Sequence, residues 1–175
     1  MADCCCAGSC TGHIPLEKVI AECDNLFNQE KKQELGEHLR FWRRRASEMG
    51  DKKSELSLLS EMMGHYRMVR DEAKALSAVR DGVALISELG ISDTVSAGTI
   101  LINAATAMQS FGYAEESSVY YKQAESCYLK TCRRGISALP PSTIIWRPLT
   151  LIREILNRQK IFISGRRRSS KNPVI

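Results

Sequence analysis

The sequence predicts an all-α fold, an array of antiparallel helix hairpins with about six helices. Apolar residues recur at helical spacing through six successive segments, and short polar turns separate these segments. No segment shows the polar and apolar alternation that is typical of a strand. Two related stretches, ASEMGD at 46–51 and ISELGI at 86–91, lie 40 residues apart, which indicates that the hairpins repeat.

Each expected helix carries its own apolar stripe. In chain order the stripes are Leu16, Val19, Ile20, Cys23, Leu26 and Phe27; Leu35, Leu39, Trp42 and Ala46; Leu56, Leu59, Met62, Met63 and Tyr66; Ala75, Leu76, Val79, Val83 and Ile86; Ile100, Leu101, Ala104, Ala105, Met108 and Phe111; and Val119, Tyr120, Tyr121, Ala124 and Tyr128. They predict hairpins at about residues 14–50, 54–90 and 93–130. Gly90 is expected to end the fourth helix, and Ser92 or Asp93 to begin the fifth.

The basic charge of the chain is concentrated at its C-terminal end. The formal net charge is +5, but residues 131–175 contain ten Lys and Arg against one acid, a charge of +9. The totals are 25 basic and 20 acidic residues, so residues 1–130 contain fifteen against nineteen, a charge of −4. No nucleic-acid binding is therefore expected from the helical region.

The sequence also predicts a compartment. No apolar run approaches the ~20 residues that a membrane-spanning helix needs, so no membrane partner is expected. The N-terminus has neither the basic nor the apolar region of a signal peptide. We therefore expect a cytoplasmic protein whose seven cysteines are mostly thiols.

The stretch LINAATAMQSFGYAEESSVYYKQA at 101–124 places large and small residues at the spacing of a tetratricopeptide repeat. The matching residues are Leu101, Ala104, Ala105, Met108, Gly112, Ser117, Tyr121 and Ala124, and 42 positions upstream Leu59, Met62, Met63, Tyr66, Ala75, Val79 and Gly82. Residues 14–130 thus resemble a tetratricopeptide-repeat (TPR) protein. SEMMGHYR at 60–67 and INAATAMQSFGYAEES at 102–117 resemble a long-repeat group found in uncharacterised bacterial proteins. The period of 40–42 implies longer helices than the ~34-residue repeat has.

The resemblance implies a non-catalytic α-solenoid scaffold that binds a protein or peptide in a concave groove. The first helix of each hairpin would line that groove, and its polar candidates are Glu61, Arg67, Thr99, Asn103 and Thr106. An asparagine can bond an extended peptide backbone, and an arginine can hold a carboxylate. The alternative is that Asn103 and Glu61 satisfy each other between adjacent hairpins.

A second function class follows from the N-terminal stretch MADCCCAGSCTGH, which we expect to be a Cys-rich disordered lead at residues 1–13. It contains five candidate ligands for zinc or copper(I): Cys4, Cys5, Cys6, Cys10 and His13. Adjacent cysteines cannot all reach one metal without strain. The alternative is a redox-sensitive thiol segment. Neither the metal site nor the redox-sensitive segment requires a cofactor in the helical region.

No catalytic motif is present, so the sequence does not predict an enzyme. His38 is expected at the surface, and His65 is expected to pack or to line the groove. Cys23 is expected in the core. In RFWRRR at 40–45, Phe41 and Trp42 are expected to face neighbouring helices, leaving the arginines solvated or free for an acidic partner. A regulatory module of a signalling or transcription system would need a further domain.

The chain changes character after the sixth stripe, in GISALPPSTIIWRPLTLIREIL at 135–156. This segment is proline-broken, β-branched and basic. A TPR array should instead continue with another helix pair or a polar cap. The segment therefore requires another explanation.

Permitted codons for Gly135–Trp146, read one base back, give YQRFTPLYNNM, and those for Arg147–Arg166 give APAYADPGDFEPAEDFYLRA. The second string places Ala, Tyr, Gly, Ala, Tyr and Ala at the intervals of 3, 4, 5, 4 and 3 that a TPR requires. We therefore predict that the basic tail, residues 131–175, is the frameshifted remnant of a fourth repeat. The alternative is a natural basic tail in which GRRRSSK at 165–171 contacts nucleic acid.

Overall fold

The computed structural model describes residues 12–135 and confirms the all-α array. Within this range there are six helices and no strand. The helices are α1 (Leu16–Asn28), α2 (Lys32–Glu48), α3 (Lys52–Met68), α4 (Glu72–Glu88), α5 (Val95–Ser110) and α6 (Ala114–Gly135). They form three antiparallel hairpins: α1 with α2, α3 with α4, and α5 with α6.

The turn inside each hairpin is three residues long and uses one left-handed residue. That residue is Glu30 (φ 58°) in the first hairpin, Arg70 (φ 61°) in the second and Gly112 (φ 95°) in the third. Only the glycine was recognisable from the sequence, because a left-handed conformation normally favours Gly. Arg70 donates to the Ser110 carbonyl oxygen over 3.3 Å, which ties its turn to the next hairpin.

Small residues allow the helices to approach closely, as the sequence predicts. Ala75, Ala105 and Ala124 are completely buried. A Cβ atom at Gly82 of α4 would lie 2.6 Å from the Met63 Cε of α3, so a glycine there accommodates the methionine. Most of the repeat positions inferred from the sequence therefore lie in the core, whereas Gly112 lies in the exposed turn of the third hairpin.

Three element boundaries differ from the expected ones. The helix α3 begins at Lys52 because the Asp51 carboxylate accepts a hydrogen bond from the Ser54 backbone N–H (3.3 Å) and caps it. Neither Ser92 nor Asp93 caps α5; Thr94 does, accepting from the Ala97 N–H over 3.2 Å. The helix α6 continues to Gly135, past the expected end of the domain at residue 130.

Candidate functional site

The first helices of the second and third hairpins, α3 and α5, pack against each other, and α1 approaches α3 at Asp24. The Asn103 Nδ2 of α5 donates to the Ser60 Oγ of α3 over 2.8 Å. The Asp24 carboxylate of α1 is close enough to Glu61 of α3 to raise its pKa. We call the polar surface of these helices the first-helix face; it comprises Asp24, Glu61, Arg67, Thr99, Asn103, Thr106 and Gln109.

Asn103 does not bond Glu61, contrary to one of the two interpretations of the sequence. Its partner is Ser60, which is only 8% exposed and sits one residue before Glu61. Consecutive helix residues point about 100° apart, so the asparagine can reach one of them and not the other. The Asn103 side chain is partly buried, and its carbonyl oxygen has no hydrogen-bond partner among residues 12–135.

The acidic end of the first-helix face lies between α1 and α3. Partial desolvation of the Glu61 carboxyl raises its pKa, and the nearby Asp24 charge raises it further. Neither carboxylate has an ion-pair partner among the residues that the structure describes. Two uncompensated acids side by side favour a cation between them.

The opposite end of the first-helix face is a cluster of hydrogen-bonding groups around Tyr121. The Tyr121 hydroxyl donates to the Gln109 Oε1 over 3.1 Å and lies 3.1 Å from the Thr106 Oγ1. Burial raises the pKa of Tyr121; the Thr106 hydrogen bond and the positive charge of Arg67 oppose that rise. Arg67 therefore lies near this hydroxyl, and within the described range no carboxylate pairs with its exposed guanidinium.

Thr99 makes contacts like those of Thr106. Its hydroxyl donates to the Val95 carbonyl oxygen (3.2 Å) and lies 2.9 Å from the buried Tyr128 hydroxyl. Nearby, Gly98 allows the Tyr128 ring to approach the α5 backbone, since a Cβ there would lie 3.0 Å from the ring. Thr99 thus helps to fix α6 on α5 while its side chain stays exposed.

Sequence reasoning missed Ser60, Gln109 and the two tyrosine hydroxyls as parts of this face. Gln109 could have been found, because it follows Thr106 by three residues on the same side of α5. The tyrosines could not, since they belong to α6 and were assigned to the core from their apolar stripe. Their rings are buried there, but their hydroxyls reach polar side chains of α5.

Of the candidate metal ligands, four lie outside the described residues: Cys4, Cys5, Cys6 and Cys10. The fifth, His13, places its Nδ1 3.3 Å from the Asp51 Oδ1. Residues 12–135 contain no group of three metal-ligating side chains. The metal-binding, redox and regulatory alternatives stay predictions, as does the frameshift.

The structure corrects some of the expectations for His38 and for RFWRRR at 40–45. His38 is half-buried, and its Nε2 lies 3.2 Å from the Val19 carbonyl oxygen, which can only accept. Phe41 is 57% exposed, and its ring makes an edge-on contact with the half-buried Trp42. Arg43 is not simply solvated; it pairs with two carboxylates of the next hairpin.

Two other expectations are confirmed by burial. His65 packs between helices, and its Nδ1 has no hydrogen-bond partner within the part of the chain that the structure describes. Cys23 lies in the core, and burial, with the charges of Glu61 and Asp24 adding to it, raises its pKa to about 11. A thiol with that pKa is protonated at neutral pH and is a poor nucleophile.

The fold and this face define a class of protein: a helical-hairpin repeat whose first helices present a polar surface with opposite charges at its two ends. In the described range no helix has the length and apolar content that crossing a membrane requires. No protein-family model, curated protein or solved structure gives a significant match to the chain.

Proposed function

We propose that the chain is a non-catalytic scaffold of the TPR class, acting in a bacterial cytoplasm, that binds a protein or peptide along the first-helix face. The observation that carries the proposal is the exposed, unpaired Arg67 beside the Tyr121, Thr106 and Gln109 cluster. Arg43, by contrast, already holds Glu55 and Asp81. Arg67 is free to bind a ligand, and Arg43 is committed to the fold.

The chemistry of this end suits a carboxylate. A guanidinium donates two parallel hydrogen bonds to a carboxylate, and the amide nitrogen of Gln109 adds a further donor. The Gln109 oxygen is occupied by the Tyr121 hydroxyl, which leaves that nitrogen facing outward. A C-terminal carboxylate or an acidic side chain of the ligand would be bound here.

The other end suits a basic group. Asp24 and Glu61 lack cationic partners within residues 12–135, and binding a lysine or arginine would relieve their mutual repulsion. Glu61 and Arg67 lie six residues apart on α3, about 9 Å along the helix axis and about 120° apart around it. An extended peptide needs at least about three residues to span the two positions. The ligand is therefore a segment with a basic residue at least three positions from a carboxylate.

The test is a screen of a peptide library in two versions, one with free C-terminal carboxylates and one amidated. Selected peptides should bind the wild-type chain, and Arg67→Ala should weaken binding about tenfold to a hundredfold, the equivalent of a charge-assisted hydrogen bond of ~1.5–3 kcal/mol. Arg67→Lys should restore only part of the affinity, because an ammonium does not bind bidentately.

Arg44→Ala is the matched control. Arg44 is an exposed arginine on α2 with no ion pair to another described residue, and it lies outside the first-helix face. Equal losses for Arg67→Ala and Arg44→Ala would show a general charge effect and contradict the proposal. Selected peptides that bind equally well to Arg67→Ala and wild type would do the same.

A further inference from the structure

The second hairpin shows how one hairpin covers the next. Ser60 of α3 is buried under Asn103 of the third hairpin, and Gly82 of α4 lies close to Ile100. One period of 42 residues later, Ile102 of α5 takes the place of Ser60. Ile102 is larger and apolar, yet it is only half-buried. The third hairpin therefore presents a partly exposed apolar side chain where the second presents a covered serine, and we call this position on α5 the Ile102 seam.

We propose that the Ile102 seam is the docking surface of a fourth helix hairpin, encoded one base out of frame downstream of α6. Adding 42 to Asn103, Gly112, Tyr121 and Ala124 gives codons 145, 154, 163 and 166. The out-of-frame string has asparagine, glycine, tyrosine and alanine at those codons. With the codons used above, seven of the 24 residues from Leu101 to Ala124 are repeated at this interval.

The genetic code limits two of these matches to two possible residues each. Trp has one codon, so Trp146 followed by Arg147 can give only alanine or glutamate one base back, at the position that repeats Ala105. Phe162 followed by Ile163 can give only tyrosine or histidine, at the position that repeats Tyr121. The code therefore favours the register at these two positions, whereas the other five matches follow from the codons used above.

The second hairpin also indicates which groups would meet. Asn103 crosses from α5 to the α3 position that Ile102 repeats. The asparagine at codon 145 would thus lie beside Ile102, followed by an apolar residue, because the last base of the codon for Ile145 read with the first two bases of the Trp146 codon can encode only leucine or methionine. An apolar seam on α5 matches such a helix. The occupant is a helical hairpin of this sequence, supplied by the same gene.

Two forms of the protein test the proposal: the chain as it stands, and a chain restored by a single-base insertion in the gene near codons 129–134. We expect an uninterrupted reading frame through codon 166, a higher Tm and about tenfold slower amide exchange in α5 and α6 of the restored chain. An early stop codon in that frame, or an unchanged Tm and exchange, would overturn the proposal.

The seam itself is tested by Ile102→Glu and the milder Ile102→Ala. Both should lower the Tm of the restored chain more than that of the original, whereas Ser96→Glu, on the exposed side of α5, should affect both chains equally. Equal effects of the Ile102 variants in the two chains would refute docking at this seam. Docking would also be refuted if size-exclusion chromatography with light scattering showed that the original chain is a dimer and that Ile102→Glu dissociates this dimer.

This inference does not rest on peptide binding. Loss of ligand binding in Arg67→Ala leaves the stability comparison unaffected, and failure of the restored chain leaves the first-helix face intact.

Discussion

The two joints between hairpins are built from different chemistry. The first joint, where the first hairpin meets the second, uses charge: Arg43 pairs with Glu55 over 3.5 Å and with Asp81 over 2.7 Å, and the buried Asp51 carboxylate accepts from the Ile14 N–H over 3.2 Å. The second joint, where the second hairpin meets the third, uses hydrogen bonds instead: Asn103 donates to Ser60 over 2.8 Å, Arg70 to the Ser110 carbonyl oxygen over 3.3 Å, and the Tyr113 hydroxyl to the Glu72 carboxylate over 2.7 Å.

The segments that connect the hairpins at the two joints also differ in length. Three residues, 49–51, connect α2 to α3, whereas six residues, 89–94, connect α4 to α5. The short connection leaves little conformational freedom. One residue, Asp51, both caps α3 and accepts a hydrogen bond from the Ile14 N–H, in the segment before α1. In the longer loop Thr94 caps α5 and donates back only to the Ile91 carbonyl oxygen. The first joint therefore depends more strongly on a single residue, Asp51.

Replacing Asp51 should have the largest effect. Asp51 is 4% exposed, and Asp51→Ala removes the cap of α3 and leaves the Ile14 N–H without an acceptor. We expect a loss of about 2–4 kcal/mol in the free energy of unfolding, measured by urea denaturation, against about 1 kcal/mol for Thr94→Ala. Asp51→Asn keeps an acceptor and should lie between them. Equal losses at Asp51 and Thr94 would remove the distinction between the joints.

The sequence predicted the helices and the core well, because burial follows apolar periodicity. Val79, Ala105 and Tyr121 lie where their stripes placed them. It predicted the joints poorly, because polar contacts between hairpins depend on which side chains happen to meet across a packed interface. Arg43 reaches Asp81 across 38 positions, and no local pattern marks such a pair. The same reason explains why Asn103 was given a choice of partners that omitted Ser60.

The first joint should also respond to pH through His65. This buried side chain contacts Gly36 of α2, where a Cβ would lie 2.7 Å from the His65 Nε2. Burial lowers the pKa of His65 below its ordinary 6.5, Arg40 of α2 and Lys74 of α4 lower it further, and Asp71 opposes them. Below pH 6.5 His65 therefore becomes protonated in the unfolded chain, whereas in the folded chain it becomes protonated only at lower pH. The free energy of unfolding consequently decreases as the pH falls.

We expect the free energy of unfolding to decrease between pH 7.5 and pH 5.5 in the wild type, and to decrease less in His65→Gln. His38→Gln, on α2, is the control and should keep the wild-type decrease. A pH dependence unchanged by His65→Gln would place the titrating group elsewhere and weaken the contrast with the second joint, where no histidine lies among the described residues.

The smallest expected effect is at the second joint itself, in the pair of Asn103 and Ser60. Either single replacement by alanine leaves the other group partly buried without its partner, whereas the double replacement removes both. A double-mutant cycle in urea should therefore give a coupling of about 0.5–1.5 kcal/mol. A coupling near zero would mean that the pair of Asn103 and Ser60 does not stabilise this joint, leaving apolar packing and the Arg70 and Tyr113 hydrogen bonds to hold it. A coupling equal to that of Arg43 with Asp81 would mean that the neutral pair and the charged pair stabilise the fold equally. Such equality would arise if water screens the attraction in the partly exposed ion pair.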